Sequence, residues 1–566
     1  MMNWDLTLIY KDDTHLNNSL NELSKQINNF VVKYENKLKN VNNIDEALDE
    51  LDDIYNKIST ANAYAYLKFA QNNQNGGFLQ KISEKCTELA SKIVFFELEF
   101  CSLDNAEKLA SKSKYSYMLS NWLINKKYLL EKQAQSVFMK MQNNSANAFS
   151  RFFDEFLADI EFKFDNKTIS EEELLSKLYN PDRKIRKKAA DAFSKGLKNN
   201  IKPLLFTFNM IKNIHKTECE IKGYEHPLKA RNISNEISDE SVNSLIKTCE
   251  NNFNLVHKFY KKKAKLLNIK QLKDYDRYAP LNLNSKNDWD FEKSCKLVRK
   301  SFNEFNPKFA LIMDEALKNK AIDVYPAKQK RGGAFSYGIK PQPYVMLNHT
   351  SNRRDAFTLA HELGHLIHQK LAGDNQAFFY SDTPLTTAET ASVFAEMLFF
   401  DSIKKDLNKE DKQALLASKI EDIFATLFRQ INFTTFEIAL HNHEGELSLE
   451  QIQTIWMQES KKMFANSVML RDDYKYWFSY IPHFIHSPFY CYAYSYAQLL
   501  VLALFGLYKS NKCENFVQIY EKFLSLGSSK SPSDLVAMFG LNLDDESFWQ
   551  LGMNEVKKLV DEFCDE

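Results

Sequence analysis

The sequence predicts a mainly α-helical fold with one small sheet, and three observations carry this. There are 14 glycines and 12 prolines in 566 residues, together roughly 5% against an average near 12%. A chain so poor in turn residues cannot make many tight hairpins. Long proline-free stretches repeat apolar residues at spacings of three and four, the period of an amphipathic helix. Only residues 331–348 read as sheet.

From the N-terminus, residues 16–70 carry Leu20, Leu23, Ile27, Phe30, Val31, Tyr34 and Leu38 on one helical stripe. Residues 79–109 repeat the pattern with Ile82, Leu89, Ile93, Phe96 and Leu98. Asp165-Asn166-Lys167 is a polar break, and Ser170 with Glu173 has capping-box spacing ahead of Leu174. Leu178-Tyr179-Asn180-Pro181 is another break. The Lys- and Arg-rich helix that runs on to Lys202 reads as a solvated face. A boundary within 165–190 separates an N-terminal helical region, 1–180, from a second region, 181–566. Arg331 to Ser336 is a turn built on Gly332 and Gly333, and Pro343 to Asn348 a short strand. Thr350, Ser351 and Asn352 are N-cap candidates for a helix from about Arg353 to Leu371, stopped by Gly373.

Composition narrows the function classes. At 66.0 kDa the chain suits one to three domains. Its 44% hydrophobic and 26% charged residues are ordinary globular usage. With 74 basic and 74 acidic residues, nothing points to nucleic acid. The eight cysteines contain no CxxC pair, so thiolate zinc and disulfide frameworks are both disfavoured and a reducing, cytoplasmic location is expected. The first twenty residues lack a secretory pattern. Residues 487–508 are uncharged and long enough to span a bilayer. Tyrosines crowd their first half, however, and the strongly apolar part, Leu499 to Leu507, is only nine residues. A buried helix, with no membrane partner, is the expectation.

The chemistry sits at His361-Glu362-Leu363-Gly364-His365. Two histidines four apart share a helix face and can each direct a ring nitrogen to one zinc ion. Glu362, one step on, lies beside the metal, where it can act as the base. Phe357, Leu359, Ala360, Leu363, Leu366 and Ile367 make the helix apolar on most sides, so a His-Glu-His cluster there needs a reason. Catalytic zinc takes three protein ligands and leaves one position open. His368 stands two turns from His361 and reads as a packing or supporting residue. Glu389 and Glu396, seven apart on a following helix, share a face. Thr386 and Glu389 also have capping-box spacing, so this segment alone leaves Glu389 open between cap and ligand.

These residues resemble the oligoendopeptidase F branch of the thimet-oligopeptidase-like zinc metallopeptidases. The resemblance rests on His361 to His365 followed by Glu389 to Glu396. It extends to Gly223 to Leu228, the Arg331–Ser336 turn, the Pro343–Asn348 strand, His483 to Tyr490, and the tail from Gly540 to Phe563. It implies one zinc per chain held by His361, His365 and Glu389, with Glu362 as base and Glu396 supporting a ligand histidine. It implies a thermolysin-like helical peptidase with two helical masses flanking a deep substrate channel, and substrates that are short peptides cut at internal bonds. It also brings a histidine and tyrosines to face the metal: His483, Tyr490 and Tyr494, with Tyr492 and Tyr496 open between this role and core packing. Beside that reading, Tyr344, Val345, Met346 and Leu347 are expected to hold a peptide backbone along a strand edge, with Gly332 and Gly333 permitting close approach. No obligate protein partner is evident.

Two other readings stand beside this one. A helical scaffold with a structural zinc or none would lack an open metal position. A carboxypeptidase or peptidyl-dipeptidase would need a fixed cation for a free C-terminus, and Arg331, Lys475 and Arg471 are candidates.

Overall fold

Apolar stripes at helical spacing become helices wherever a cap and a partner face are available. The computed structural model describes residues 3–41, 43–131, 134, 137, 138, 141, 142, 144–281 and 289–565. It is mostly helical, and no strand among the described residues exceeds three residues. The chain forms two compact units: 1–127 with 286–406 and 511–541, and 128–285 with 407–510 and 542–566.

In the first unit the predicted stripe of residues 16–70 is divided between helices Asp13–Tyr34 and Ile44–Gln71. Asp12 caps the first by accepting the His15 amide at 2.8 Å. Between them Asn36 takes a left-handed conformation, and Glu99 accepts the Asn36 and Leu38 amides at 2.8 Å each. Leu16, Leu20, Leu23, Ile27 and Phe30 are buried with Leu48, Leu51 and Ile54 in one core. The second stripe breaks into Gly76–Ser91, Phe95–Ser102 and Ala106–Lys112. Leu98 lies off it, 43% exposed.

The same unit holds the three-stranded sheet. Tyr344–Met346 is its middle strand, parallel to Ile322–Asp323 and antiparallel to Phe335–Tyr337. Beyond it runs the helix Arg353–Asn375, which we call the histidine helix. Of the three cap candidates, Asn352 serves: it accepts the Asp355 amide at 3.1 Å, and Asp355 reciprocates. The helix passes through Gly373 instead of stopping there, and ends at Gln376 with an extended backbone.

In the second unit two features depart from expectation. The break at Asp165 is the turn of a small hairpin, Phe162–Phe164 with Lys167–Ile169. Asp165 and Asn166 both have positive φ, as a two-residue hairpin turn requires. The basic helix, Arg183–Asn199, is not solvated throughout: Arg186 is 2% exposed and donates to Asp276 at 3.0 Å. The uncharged stretch becomes the buried helix Tyr492–Lys509, packed against Glu546–Asp565. Gly552 makes that crossing close, since a Cβ there would lie 2.4 Å from the Leu499 carbonyl oxygen. No helix among the described residues is long and apolar enough to cross a membrane.

Candidate metal centre

The centre is built where two helices of the first unit cross. The histidine helix presents His361 and His365 one turn apart, their ring centroids 4.8 Å from each other. A short helix, Leu385–Ala388, leads through Glu389 into the helix Thr390–Lys404. Its N-cap is Pro384, without a side-chain capping bond, so the capping-box reading of Thr386 and Glu389 lapses. Gly364 explains how near the two helices come. A Cβ at that position would lie 2.6 Å from both the Ala391 carbonyl oxygen and the Ser392 Cα. Any side chain there would force the helices apart and carry Glu389 away from the histidines.

At the crossing, Glu389 Oε2 lies 3.4 Å from His361 Nε2 and 3.5 Å from His365 Nε2. Ser392 Oγ donates to the same oxygen at 2.6 Å and fixes the carboxylate. The other ring nitrogen of His361, Nδ1, is 2.6 Å from Glu396 Oε1. A proton on Nδ1 satisfies that bond, and Nε2 is the nitrogen turned to the centre. Glu362 is 6% exposed, and burial pushes its carboxyl up. Burial opposes charge on His361, but the Glu396 hydrogen bond and the charges of Glu396, Glu389 and Glu362 lift it to about 9. Burial would raise Glu389, yet the hydrogen bond and charge of His365, the His361 charge and the Ser392 hydroxyl hold it near 2. His368 is 4% exposed and kept neutral, burial taking it down to about 3.

These residues fit a zinc ion. The three donor atoms lie within 4.8 Å of one another, and among the described residues this is the only such set. Zinc takes nitrogen and oxygen ligands at about 2.0–2.1 Å in a tetrahedron, which puts neighbouring ligands about 3.4 Å apart. Both carboxylate–imidazole separations match that edge. Three carboxylates around two imidazoles also leave negative charge that a dication would balance. Among the described residues the set has three protein donors, the number a catalytic zinc site uses.

A cavity of about 370 Å³ opens on the donors, its wall including Ala334, Phe335, Ser336, Gln369, Asp382 and Thr383. This corrects one expectation. Tyr344, Val345, Met346 and Leu347 are at most 1% exposed. Val345 and Leu347 donate to the Ala321 and Asp323 carbonyls at 2.9 and 2.8 Å, and Phe335–Tyr337 covers the strand's other side. A middle strand has no edge for a peptide. The sheet's edge strand beside the donors is Phe335–Tyr337. Gly333 sits at φ +79°, and Asn348 Nδ2 donates to the Arg331 and Gly333 carbonyls at 2.9 and 2.7 Å. The two glycines shape the turn into that strand. Sequence reading did not single out Gln369, Asp382 or Thr383; only the three-dimensional wall identifies them.

The aromatic group belongs to the second unit. His483 Nε2 and the Tyr494 hydroxyl are 3.4 Å apart. The Tyr490 ring lies 6.1 Å from His483 and 5.2 Å from Tyr494, centroid to centroid. Phe489, just before Tyr490, has φ +59°, and the buried Glu437 accepts its amide at 2.9 Å. Burial, next to His486 and Arg429, lowers His483 and favours the neutral ring. Tyr492 and Tyr496 are core residues with no exposure. Tyr492 donates to Asn232 Oδ1 at 2.6 Å, and Tyr496 is 3.1 Å from Ser241 Oγ. Of the cations considered for a free C-terminus, Arg471 is engaged with Asp274 at 2.8 Å and with Asp191, and Lys475 with Asp472 at 2.8 Å. Arg331 lies over the Tyr66 and Phe335 rings, 5.6 Å from each.

Two helices set His361 and His365 against a distant glutamate, a group that could hold a metal ion. The chain belongs to Peptidase family M3, a metallopeptidase family whose model matches residues 176–555. It is 28% identical to an oligoendopeptidase F homolog of Borreliella burgdorferi, over 98% of each chain. The fold matches a crystal structure of a putative peptidase from Chlamydophila abortus, with a TM-score of 0.90 at 22% identity over 100% of this chain and 98% of that one. It also matches the oligoendopeptidase-F of Enterococcus faecium, with a TM-score of 0.68 at 18% identity over 97% and 99%. The oligoendopeptidase F resemblance read from the motifs stands on these matches.

Proposed function

We propose that this protein is a zinc-dependent endopeptidase acting on internal bonds of short oligopeptides. The observation that carries the proposal is the convergence of His361, His365 and Glu389 beside the buried Glu362. The oligoendopeptidase F name of its relative supports the substrate class. His361, His365 and Glu389 would hold one zinc ion, which supplies a Lewis acid for the scissile carbonyl and acidifies water. Glu396 orients His361 through Nδ1. Glu362 takes the proton of the attacking water and passes it to the leaving amine. The edge Phe335–Tyr337 offers its backbone to an extended substrate. The family resemblance, not a contact, is what assigns His483 and Tyr494, with Tyr490 beside them, as donors to the oxyanion. We place the protein in the reducing cytoplasm, where its eight unpaired cysteines remain thiols.

A scaffold with a closed structural site is disfavoured because three donors, not four, converge among the described residues. For an exopeptidase, Arg471 and Lys475 are engaged with carboxylates, and Arg331, over the Phe335 ring, is the candidate cation that remains. Mass spectrometry of digests of graded peptides blocked at both ends tests the proposal. Internal cleavage of blocked peptides is expected; cleavage only of peptides with a free terminus would replace the endopeptidase with an exopeptidase. Tyr494→Phe is expected to lower kcat by about 10²–10³-fold with little change in KM. An unchanged kcat would return that hydroxyl to a packing role.

A further inference from the structure

We infer that Asp382 gives this site a preference for peptides carrying a cationic group beside the scissile bond. The inference rests on the peptidase reading above and specifies its substrate.

Apart from the histidines at the centre, the charged side chains on the described cavity wall are acidic. Around the donors it carries Glu362, Glu389 and Asp382, and among the described residues no lysine or arginine lines it. A dication held by the three donors would be balanced by Glu389 and by Glu396 behind His361. Glu362 and Asp382 then remain as negative charge. Glu362 is buried and occupied with the proton of the attacking water. Asp382 is exposed. Its carboxylate accepts the amide of its own neighbour, Thr383, at 2.9 Å, and it forms no ion pair among the described residues. A concave wall of one sign concentrates ligands of the other.

The position of Asp382 makes the preference local. It lines the same cavity as Ser336 and Gln369, and Gln369 Oε1 accepts the Ser336 hydroxyl at 2.7 Å. Ser336 is the central residue of the edge strand. Phe335 and Ser336 line that cavity together with Asp382, so the carboxylate stands beside the strand; burial first, and then the charge of Asp382, raises the phenol of Tyr337. A backbone laid on Phe335–Tyr337 would bring a flanking side chain, or a nearby amino terminus, to this carboxylate. The shared chemistry is an ammonium or guanidinium group. A lysine or arginine side chain and the peptide's own N-terminus are its two sources.

The test uses the zinc-loaded full-length protein. Doubly blocked peptides that differ only in Lys, Gln or Glu at each position flanking the cleaved bond are compared as pairs. A second pair lacks cationic side chains and differs only in a free or acetylated N-terminus. Wild type is expected to favour the cation about five- to tenfold in kcat/KM at one flanking position or at the terminus, with Glu the poorest. Asp382→Asn should bring that ratio within twofold of one, and Asp382→Lys should turn it toward Glu. A wild-type ratio near one, or a ratio that survives both substitutions, would overturn the inference and leave the peptidase reading intact. No cleavage of any peptide would remove that reading, and this inference with it.

Discussion

Glu362→Gln is expected to lose turnover by about 10²–10⁴-fold while binding zinc as wild type does. The substitution keeps the shape of a side chain that is 6% exposed on the histidine helix and removes only its ability to accept and return a proton. It does not touch the three donor atoms, so metal content should be unchanged. It leaves the Gly364 crossing alone, so the fold should be too. Steady-state kinetics on a blocked peptide, run beside metal analysis of the same preparation, separates the possibilities. Turnover retained within a few-fold would remove Glu362 as the base. Zinc lost together with turnover would make it a structural support of the centre.

Glu389→Ala should weaken zinc binding by more than about 100-fold, since loss of a residue that merely supports a ligand already costs about 10–100-fold. The variant loses the oxygen that lies 3.4 and 3.5 Å from the two imidazoles and leaves a two-histidine site. A glutamate that only capped its helix would behave otherwise. Its loss would cost about 0.5–2 kcal/mol of stability and leave metal content intact. Competition against a chelator, with a thermal melt alongside, reads both quantities. Unchanged zinc affinity would take Glu389 out of the centre.

How much of this was legible in the sequence depends on the range of the interaction. The histidine helix was legible because its motif and its apolar period lie within one segment. Its continuation through Gly373 was not, because glycine is tolerated inside a helix whose neighbouring turns are packed. Glu389 was ambiguous locally: the same residues spell a capping box, and only the close crossing at Gly364 brings it to the histidines. The edge strand was misjudged although a signal was present. Tyr344 to Leu347 is an unbroken apolar run, the pattern of a strand buried on both faces, whereas Phe335-Ser336-Tyr337 alternates. Asp165-Asn166 was read as a break because a polar pair marks a loop and a tight hairpin equally well. The tyrosines of residues 490–496 were beyond sequence because a phenol suits core and site alike. The fold buries Tyr492 and Tyr496 completely and groups Tyr490 and Tyr494 with His483.

If three side chains hold one metal ion on which cleavage depends, metal content and turnover must rise together. The most direct measurement is a titration of zinc into metal-depleted full-length protein, following cleavage of a doubly blocked peptide. Activity should rise in proportion to metal and level off at one zinc per chain. Cleavage that persists without metal, or one bound zinc with no cleavage at any occupancy, would contradict the account.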